Sequence, residues 1–505
     1  MNLPNTLKSI PSQMRDLFRK LHKLFIVLVI VAVGLLFGFL FQSAESAELI
    51  VSLLLVVLVM FVILYEPLYG LLLWLFFTPF IETWVKIPLG AGLPDLSFSR
   101  FVMVFLIIIL LAKATIGKYR FSRWGLTDYL ILATTIGVML SASQSTNPNG
   151  VIQTTLTIHF TAMMAFYFAR NLVKDAHALH KLLLVVALFG FVASLYAIYE
   201  QATGNVLFLA KERSLGAIDR SYTSSLTQIR GLLGSSSNLG RLLLSTIPVS
   251  FYLFFESKSI SRKSLWIGTI GVQFIAMFLT YNRASYIALL IALTLIQFFY
   301  PRFRRLFFLL LTVFVVVLWA NWDSFEDSAV VTERFGGNST LEGRQARWDA
   351  GFNMWQAKPI TGWGFGRYET EAGAFRTDGI TTNFRNGAIE NDYLHILVGS
   401  GLVGFLPYAL FLIAPLLNSL VLFFRARAPG WQGFVKPETI AVYWGIILGL
   451  LITSYSQIQT QQIVKMIPFA IAGAVVGTQL DQLRELHAKN KTAPGHVGTR
   501  SKQRA

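Results

Sequence analysis

Arginines collect in two polar segments of a chain that is otherwise mostly apolar. Residues 200–240 contain Arg230, and residues 321–389 contain Arg344 and Arg347. A guanidinium group offers planar, bidentate hydrogen bonds to phosphates and carboxylates. Taken singly, these residues are best explained as solvated loop charges. As a set, they predict a cationic surface for an anionic ligand such as a phosphate.

Arg283 has the most restrictive surroundings of the arginines. The run Tyr281-Asn282-Arg283 separates two apolar stretches and leaves room for little more than a turn. A cation at such a depth is costly unless it is paired or faces water. Two interpretations stay open: the side chain extends to the lipid headgroups, or it binds an anion.

Arg230 begins a Gly/Ser-rich stretch that runs to Asn238 and precedes an apolar run starting at residue 240. The backbone amides of this stretch would lie at the start of a helix, where anions are favoured. Gly/Ser turns are common, so the stretch alone is a weak indication of an anion site.

The second polar segment contains a predicted helix. Residues 343–355 have helical spacing, which puts Arg344 and Arg347 on neighbouring faces. Pro359 and the glycine-aromatic run 362–366 predict the end of that helix. The aromatic residues of this region are predicted to be anchors at the membrane surface or platforms for sugar rings: Trp355, Trp363, Phe365 and Tyr368.

The elements that must position these residues are transmembrane helices. Of 505 residues, 54% are hydrophobic and only 14% are charged, which is far more apolar surface than a soluble domain could bury. Apolar runs near the ~20 residues needed to cross a bilayer recur along the chain. We predict an all-α integral membrane protein, a polytopic bundle of about fourteen transmembrane helices. They cover residues 24–41, 49–65, 68–81, 98–113, 127–142, 151–169, 182–199, 240–256, 265–281, 284–300, 306–320, 401–424, 439–456 and 463–480.

The distribution of Lys and Arg predicts the orientation, because basic residues favour short cytoplasmic loops. With the N-terminus inside, the inner segments are basic, whereas the short outer loops 42–48, 143–150 and 457–462 contain no Lys or Arg. Both termini are therefore predicted to be cytoplasmic. The net charge of +17 is explained by these inner clusters and by anionic lipid headgroups, so nucleic-acid binding is not expected. The chain has no cysteine, which excludes disulfides and thiolate chemistry.

The motifs of residues 200–425 together resemble the O-antigen ligase and polymerase superfamily, and their order carries the resemblance. The order runs from Arg230 through Gly234 to Asn238, then Asn282-Arg283, Arg344–Trp348, Pro359, Gly362–Gly366, and Asn391-Asp392-Tyr393-Leu394 followed by Gly401 and Gly404. Members of this superfamily are membrane glycosyltransferases that act on polyprenyl-diphosphate-linked glycans. The resemblance implies a GT-C-like fold, multi-pass in the bacterial cytoplasmic (inner) membrane, with chemistry at the outer face.

The segment around Glu390 departs from the family pattern at one position. The similar ligases have His, then Asn, Ser or Gln, nine residues, Gly, two residues and Gly. Asn391, Gly401 and Gly404 fit this frame, but Glu390 occupies the His position, and the family's His is its proposed catalytic residue. Glu390 could replace it as general base, since a desolvated carboxylate can accept a proton near neutral pH. A different acceptor or a loss of activity are the other interpretations.

By resemblance, the reaction is the attack of an acceptor sugar hydroxyl on the anomeric carbon of a lipid-diphosphate donor, with inversion. The residues implied in catalysis are Glu390, Asn391 and His395, and for His395 an ordinary contact within the bundle is the alternative. Positive charge would stabilise the departing diphosphate. The residues implied in binding it are Arg230, Asn238, Arg283, Arg344 and Arg347. No cofactor is expected, and no metal, because the acids around Asn391 lie on different helix faces.

The pattern divides the chain into five regions. They are a basic cytoplasmic N-terminus (1–23), a transmembrane bundle with outer loop 200–240 (24–320), a large extracytoplasmic loop with the catalytic segment (321–400), C-terminal transmembrane helices (401–481) and a basic disordered cytoplasmic tail (482–505).

Three functions are compatible with these observations. The first is a polymerase of lipid-linked oligosaccharide repeat units for an O-antigen or exopolysaccharide, which would work with a chain-length regulator and a flippase in the lipid bilayer. The second is a ligase that transfers lipid-linked glycan to a lipid or protein acceptor; the missing His disfavours it. The third is a transporter of inorganic carbon or another solute, which should show charges near the midplane in paired halves.

Overall fold

A computed structural model describes residues 44–82, 86–87, 96–145, 148–204, 229–320, 339–376, 389–458 and 461–477. The predicted span 24–41, the N-terminus 1–23 and the tail 482–505 lie outside these residues. The chain divides into two compact units, residues 1–61 and 62–505. Of the first unit the structure describes only the start of one helix, and the second contains every other element.

The described elements are helices apart from one antiparallel pair of short strands, β1 (Lys86–Ile87) and β2 (Leu96–Ser97). The helices are α1 (Ala44–Tyr65), α2 (Pro67–Ile81), α3 (Phe98–Thr115), α4 (Leu126–Ala142), α5 (Pro148–Thr155), α6 (Thr161–Leu172), α7 (Ala176–Thr203), α8 (Ser236–Glu256), α9 (Ile260–Leu279), α10 (Arg283–Phe299), α11 (Pro301–Ala320), α12 (Ser339–Ala357), α13 (Tyr368–Glu371), α14 (Asp392–Arg427), α15 (Pro437–Ser456) and α16 (Ile463–Ala472). A π turn, Leu156–Phe160, joins α5 to α6, and a second π turn, Gly473–Gly477, follows α16.

Six helical segments in the described part of the chain are long and apolar enough to cross a membrane. They are Phe98–Thr115, Pro148–Leu172, Ala176–Thr203, Ser236–Glu256, Asp392–Arg427 and Pro437–Ser456, and shorter apolar helices accompany them. Outward-facing leucines such as Leu184, Leu188 and Leu195 on α7 are exposed, as expected of a surface that meets lipid. The prediction of a multi-pass helical membrane protein is therefore confirmed, whereas the number fourteen stays a prediction.

Contacts between helices define two ends of the bundle in the second unit. At one end, Arg170 on α6 forms a buried ion pair with Asp128 on α4. At the other, Ser141 near the end of α4 donates a hydrogen bond to the carbonyl of Gly399 on α14. The first end carries basic residues predicted to be cytoplasmic. The second, called the site end below, carries the segment around Glu390.

Several helix starts meet helix ends at the site end. Arg241 in the first turns of α8 donates to the carbonyls of Thr453 and Gln457, each at 2.7 Å, where α15 ends. The last carbonyls of a helix have no partner within the helix, so a buried guanidinium satisfies them well. Tyr393 on α14 donates to the carbonyl of Leu451 at 2.9 Å. The end of α15 thus contacts both α8 and α14 through hydrogen bonds to its carbonyls.

α14 begins before the predicted span and is interrupted within it. The sequence places residues up to 400 in an extracytoplasmic loop, but the helix starts at Asp392 and has a non-helical break at Gly401 (φ 58°, ψ −163°). The physical reason for the early start is a cap: the Asn391 side chain accepts a hydrogen bond from the Leu394 amide at 3.0 Å. Hydropathy marks only where the apolar run begins, whereas the cap at Asn391 determines where the helix begins.

The loop that follows α12 forms backbone hydrogen bonds with α14 at the break. Trp363 N–H donates to Val398 O at 2.8 Å, and Leu402 N–H donates to Pro359 O at 2.9 Å; neighbouring residues repeat this pairing. Backbone groups freed by the break at Gly401 are therefore satisfied by the loop. The break is one of the points at which the large polar segment contacts the membrane helices.

Glycine is required at these contacts because the backbones nearly touch. A Cβ atom on Gly362 would lie 2.5 Å from Gly401 N and 2.7 Å from Val398 O. A Cβ atom on Gly137 of α4 would lie 2.8 Å from the Cα of Gly404. The two glycines of the family-like frame therefore have structural roles. Gly401 forms the break in α14, and Gly404 allows α4 to pack closely against α14.

Candidate functional site

α12 supplies two of the predicted binding residues. It runs from Ser339 to Ala357 and ends before Pro359, so the predicted helix over residues 343–355 is confirmed. Its inner face packs into a buried cluster of the polar segment that includes Ala350, Met354 and Ile389. That packing fixes which face of α12 turns toward the start of α14.

Glu390 forms ion pairs with both predicted binding residues of α12. Its Oε2 atom lies 2.6 Å from Nε of Arg344 and 3.0 Å from a terminal nitrogen of Arg347. The side chains of Glu390, Arg344 and Arg347 are 36%, 28% and 21% exposed. The structure thus brings the residue predicted as base into direct contact with two residues predicted to bind phosphate.

The backbone at Glu390 adopts a left-handed conformation, with φ 50°. For a non-glycine residue this costs on the order of 1–2 kcal/mol and persists only where neighbours hold it. Here Ile389 is fully buried, Asn391 caps α14 and Asp392 is ion-paired. The neighbours therefore fix the backbone and aim the Glu390 side chain at α12.

Tyr368 supports the arginine side of this contact. Its hydroxyl donates to the carbonyl of Arg347 at 2.8 Å. Burial raises the pKa of the Tyr368 hydroxyl above its ordinary value, so the group stays a neutral donor. Phe365 and Tyr368 are both buried, so neither is a surface anchor or a sugar platform. Those two interpretations are wrong for this pair, because the loop folds back on α12 and α14.

A buried charge cluster lies directly behind the start of α14, and no motif in the sequence predicted it. Asp392 pairs with Lys465 of α16 at 2.8 Å, and both side chains are 1% exposed. Lys465 Nζ lies 3.5 Å from Nδ1 of His159 in the π turn between α5 and α6. Lys465 in the predicted span 463–480 and His159 in the predicted span 151–169 were the available signal, since ionisable residues are costly in a membrane unless they have a role.

His395 lies one turn after Asn391 on α14, and its backbone N–H donates to the Asn391 carbonyl at 2.9 Å. It is half-buried, and its ring packs edge-on against Phe365 with centroids 5.1 Å apart. Its Nδ1 has no hydrogen-bond partner among the residues that the structure describes. These contacts agree with a packing role for His395 within the bundle, which was the alternative to a catalytic role.

The turn after Arg230 already holds an internal anion. Both carboxylate oxygens of Glu200, near the end of α7, accept backbone hydrogen bonds, from Arg230 N–H at 3.0 Å and from Gly231 N–H at 2.7 Å. α8 then begins at Ser236, earlier than the predicted 240. The predicted amide site is therefore partly filled by Glu200, which fixes the backbone of Arg230 instead.

Asn238 and Arg283 lie at the starts of two adjacent helices. Asn238 is buried in the first turn of α8. Arg283 is the first residue of α10. Asn282 caps α10, because its side chain accepts a hydrogen bond from the Ser285 N–H at 3.1 Å. Gly240 packs directly on Ser285. The predicted binding residues thus form two groups, one at these helix starts and one on α12.

No three His, Asp or Glu side chains of the described residues are grouped so that they could hold a metal ion. Independence from metal stays a prediction about the reaction.

The fold and these groups define a multi-pass membrane protein with an ionic site at one end of its helices. The O-antigen ligase family model matches residues 268–409, which confirms the resemblance of this part of the chain to the O-antigen ligase and polymerase superfamily. Enzymes of that family transfer glycans. The match contains Arg283, Arg344, Arg347 and Glu390, and it ends after Gly404. Comparison with curated proteins gives no significant match.

Proposed function

We propose that this protein is a membrane glycosyltransferase that uses a polyprenyl-diphosphate-linked glycan as donor. The observation that carries the proposal is the convergence of Arg344 and Arg347 on one carboxylate oxygen, inside the segment that matches the family model. Two guanidinium groups that meet at one point are suited to a phosphate oxygen. The family match supports a lipid-linked glycan as the class of donor.

In the proposed reaction, the acceptor hydroxyl oxygen bonds to the anomeric carbon of the donor sugar while the bond from that carbon to the diphosphate oxygen breaks. The hydroxyl proton passes to the Glu390 carboxylate. The electron pair of the broken bond leaves with the polyprenyl diphosphate, whose charge Arg344 and Arg347 stabilise. Charge stabilisation of this kind by fixed donors is usually a large part of catalysis.

Arg230, Asn238 and Arg283 would bind the remainder of the donor headgroup at the starts of α8 and α10. The neighbouring helix N-termini support this role, because their amides favour anions. Asn391 is a positioning residue in this proposal, because its cap on α14 holds the backbone of Glu390 in place. His395 has no assigned step.

We propose polymerisation of lipid-linked repeat units as the leading activity, at the outer face of the cytoplasmic membrane. The departure at Glu390 from the ligase pattern supports it. The ligase activity is the second candidate, and the description of the matching family supports that one. The transporter alternative gains no observation of its own, since the ionic groups of the site gather at one end of the bundle.

The test is transfer by purified protein in proteoliposomes that contain lipid-linked oligosaccharide. A polymerase converts the repeat unit into a ladder of products on a gel, whereas a ligase consumes it only when an acceptor lipid or protein is added. Arg347→Ala should abolish either activity. Arg367→Ala is the matched control, because Arg367 also forms an ion pair in the polar segment, but with Glu371 instead of Glu390. Normal transfer by Arg347→Ala would contradict the proposal.

A further inference from the structure

Glu390 occupies the place where an external anion would meet Arg344 and Arg347. A single oxygen of its carboxylate accepts from both guanidinium groups, at 2.6 and 3.0 Å. Both arginine side chains remain partly exposed, so an anion arriving from outside the protein can reach them. Glu390 and a phosphate would therefore compete for the same donors.

The carboxylate of Glu390 can move while its backbone cannot. Ile389 on one side is fully buried, and Asp392 on the other is held by Lys465. The Glu390 side chain, in contrast, is 36% exposed. Rotation about its own side-chain bonds is enough to take the carboxylate off the arginines, with no change in α12 or α14.

We propose that Glu390 is an internal competitor of the donor diphosphate: it holds Arg344 and Arg347 in the free protein, and the donor displaces it. This inference rests on the proposed function and adds an order of events to it. The donor binds first, and its binding releases the carboxylate that then accepts the acceptor's proton. Until then the base is engaged, which limits wasteful attack by water.

The relative strength of the two anions supports the displacement. A diphosphate carries more negative charge than a carboxylate and offers several oxygens for bidentate contacts with each guanidinium group. A carboxylate that has lost two cationic partners and lies beside a bound anion also accepts a proton more readily. Donor binding and activation of the base are therefore favoured together.

The experiment measures binding of inorganic pyrophosphate to the full chain in nanodiscs by titration calorimetry. Glu390→Gln removes the competing charge and should bind pyrophosphate roughly tenfold more tightly than the unchanged protein. Glu390→Asp keeps the charge on a shorter side chain and should lie between them. The matched control is Glu371→Gln, which removes an equal charge from the partly exposed pair with Arg367 and should change the affinity by less than about twofold.

The outcomes separate this inference from the proposed function. Equal affinity in the unchanged protein and in Glu390→Gln would overturn the competition while leaving a diphosphate site in place. Tightening of the same size in Glu371→Gln would overturn it too, by showing a general effect of charge. Binding by none of the variants would contradict the proposed function itself. Melting temperatures of the variants in nanodiscs confirm that each is folded.

Discussion

Asp392 and Lys465 form an ion pair whose charged atoms are 2.8 Å apart and whose side chains are almost wholly buried. Asp392 belongs to the first turn of α14 and Lys465 to the first turn of α16. Removing two charges from water is expensive, so such a pair is retained only where geometry repays it. Here it ties α16 to the helix start that carries Glu390.

Lys465→Met should destabilise the protein strongly, because it leaves Asp392 charged and unpaired in the bundle. Breaking one partner of a buried pair costs about 3–5 kcal/mol. Asp392→Asn combined with Lys465→Met removes both charges and should recover most of the folded yield. Thermal unfolding in detergent and the yield after size-exclusion chromatography measure the effect. Lys181→Met, at the opposite end of the bundle, is the control. A melting temperature for Lys465→Met equal to that of the unchanged protein would count against the pair.

Gly401→Ala should partly detach the polar segment from α14. Alanine is unfavourable at φ 58°, and its Cβ would lie 2.5 Å from the Gly362 amide nitrogen. The two effects together should cost about 3 kcal/mol. Limited proteolysis of residues 339–376 would report the detachment. Gly271→Ala on α9, where a Cβ meets nothing within 4 Å, should leave the proteolysis pattern unchanged. Equal protease resistance of both variants would show that the break tolerates a side chain.

Arg283→Ala and Arg230→Ala should each reduce glycan transfer by ~10²–10³ while the protein stays folded in the membrane. Lysine at either position should restore only part of the activity, since lysine lacks the bidentate fork. The assay is formation of polymer or ligated product in proteoliposomes. Arg302→Ala, with an exposed side chain at the start of α11, is the matched control. Normal product from both alanine variants would make these arginines headgroup anchors.

Local signals in the sequence were enough for several elements of the site. Helical spacing predicted α12, and Pro359 with the glycine run predicted its end. The turn at Asn282 also followed from sequence, because an Asn between two apolar runs is a good helix cap. In each case the residues that determine the local structure are close together in the chain, so a short stretch of sequence is enough to predict the element.

The remaining contacts join residues far apart in the chain. Lys465, His159 and Asp392 lie in three separate apolar or mixed runs, and nothing in one run says which buried charge it will meet in another. The same holds for Glu200 and the amide of Arg230. α14 begins before the predicted span 401–424 for a different reason: the polar cap at Asn391 sets the helix start, while a hydropathy window responds only to the apolar residues that follow.

Glu390→His tests whether the residue at this position is the base. The imidazole of histidine ordinarily titrates near pH ~6.5 and accepts a proton only when neutral. Transfer by this variant should therefore be partial and should rise with pH to a plateau above about pH 6.5. Glu390→Gln cannot accept the proton and should lose turnover at every pH while still binding pyrophosphate. Product ladders from proteoliposomes buffered between about pH 5 and pH 9 provide the measurement, with His395→Ala as the control that should follow the unchanged protein. Full turnover by Glu390→Gln would remove Glu390 from the proton transfer and direct the search for the base to other groups near Arg344 and Arg347.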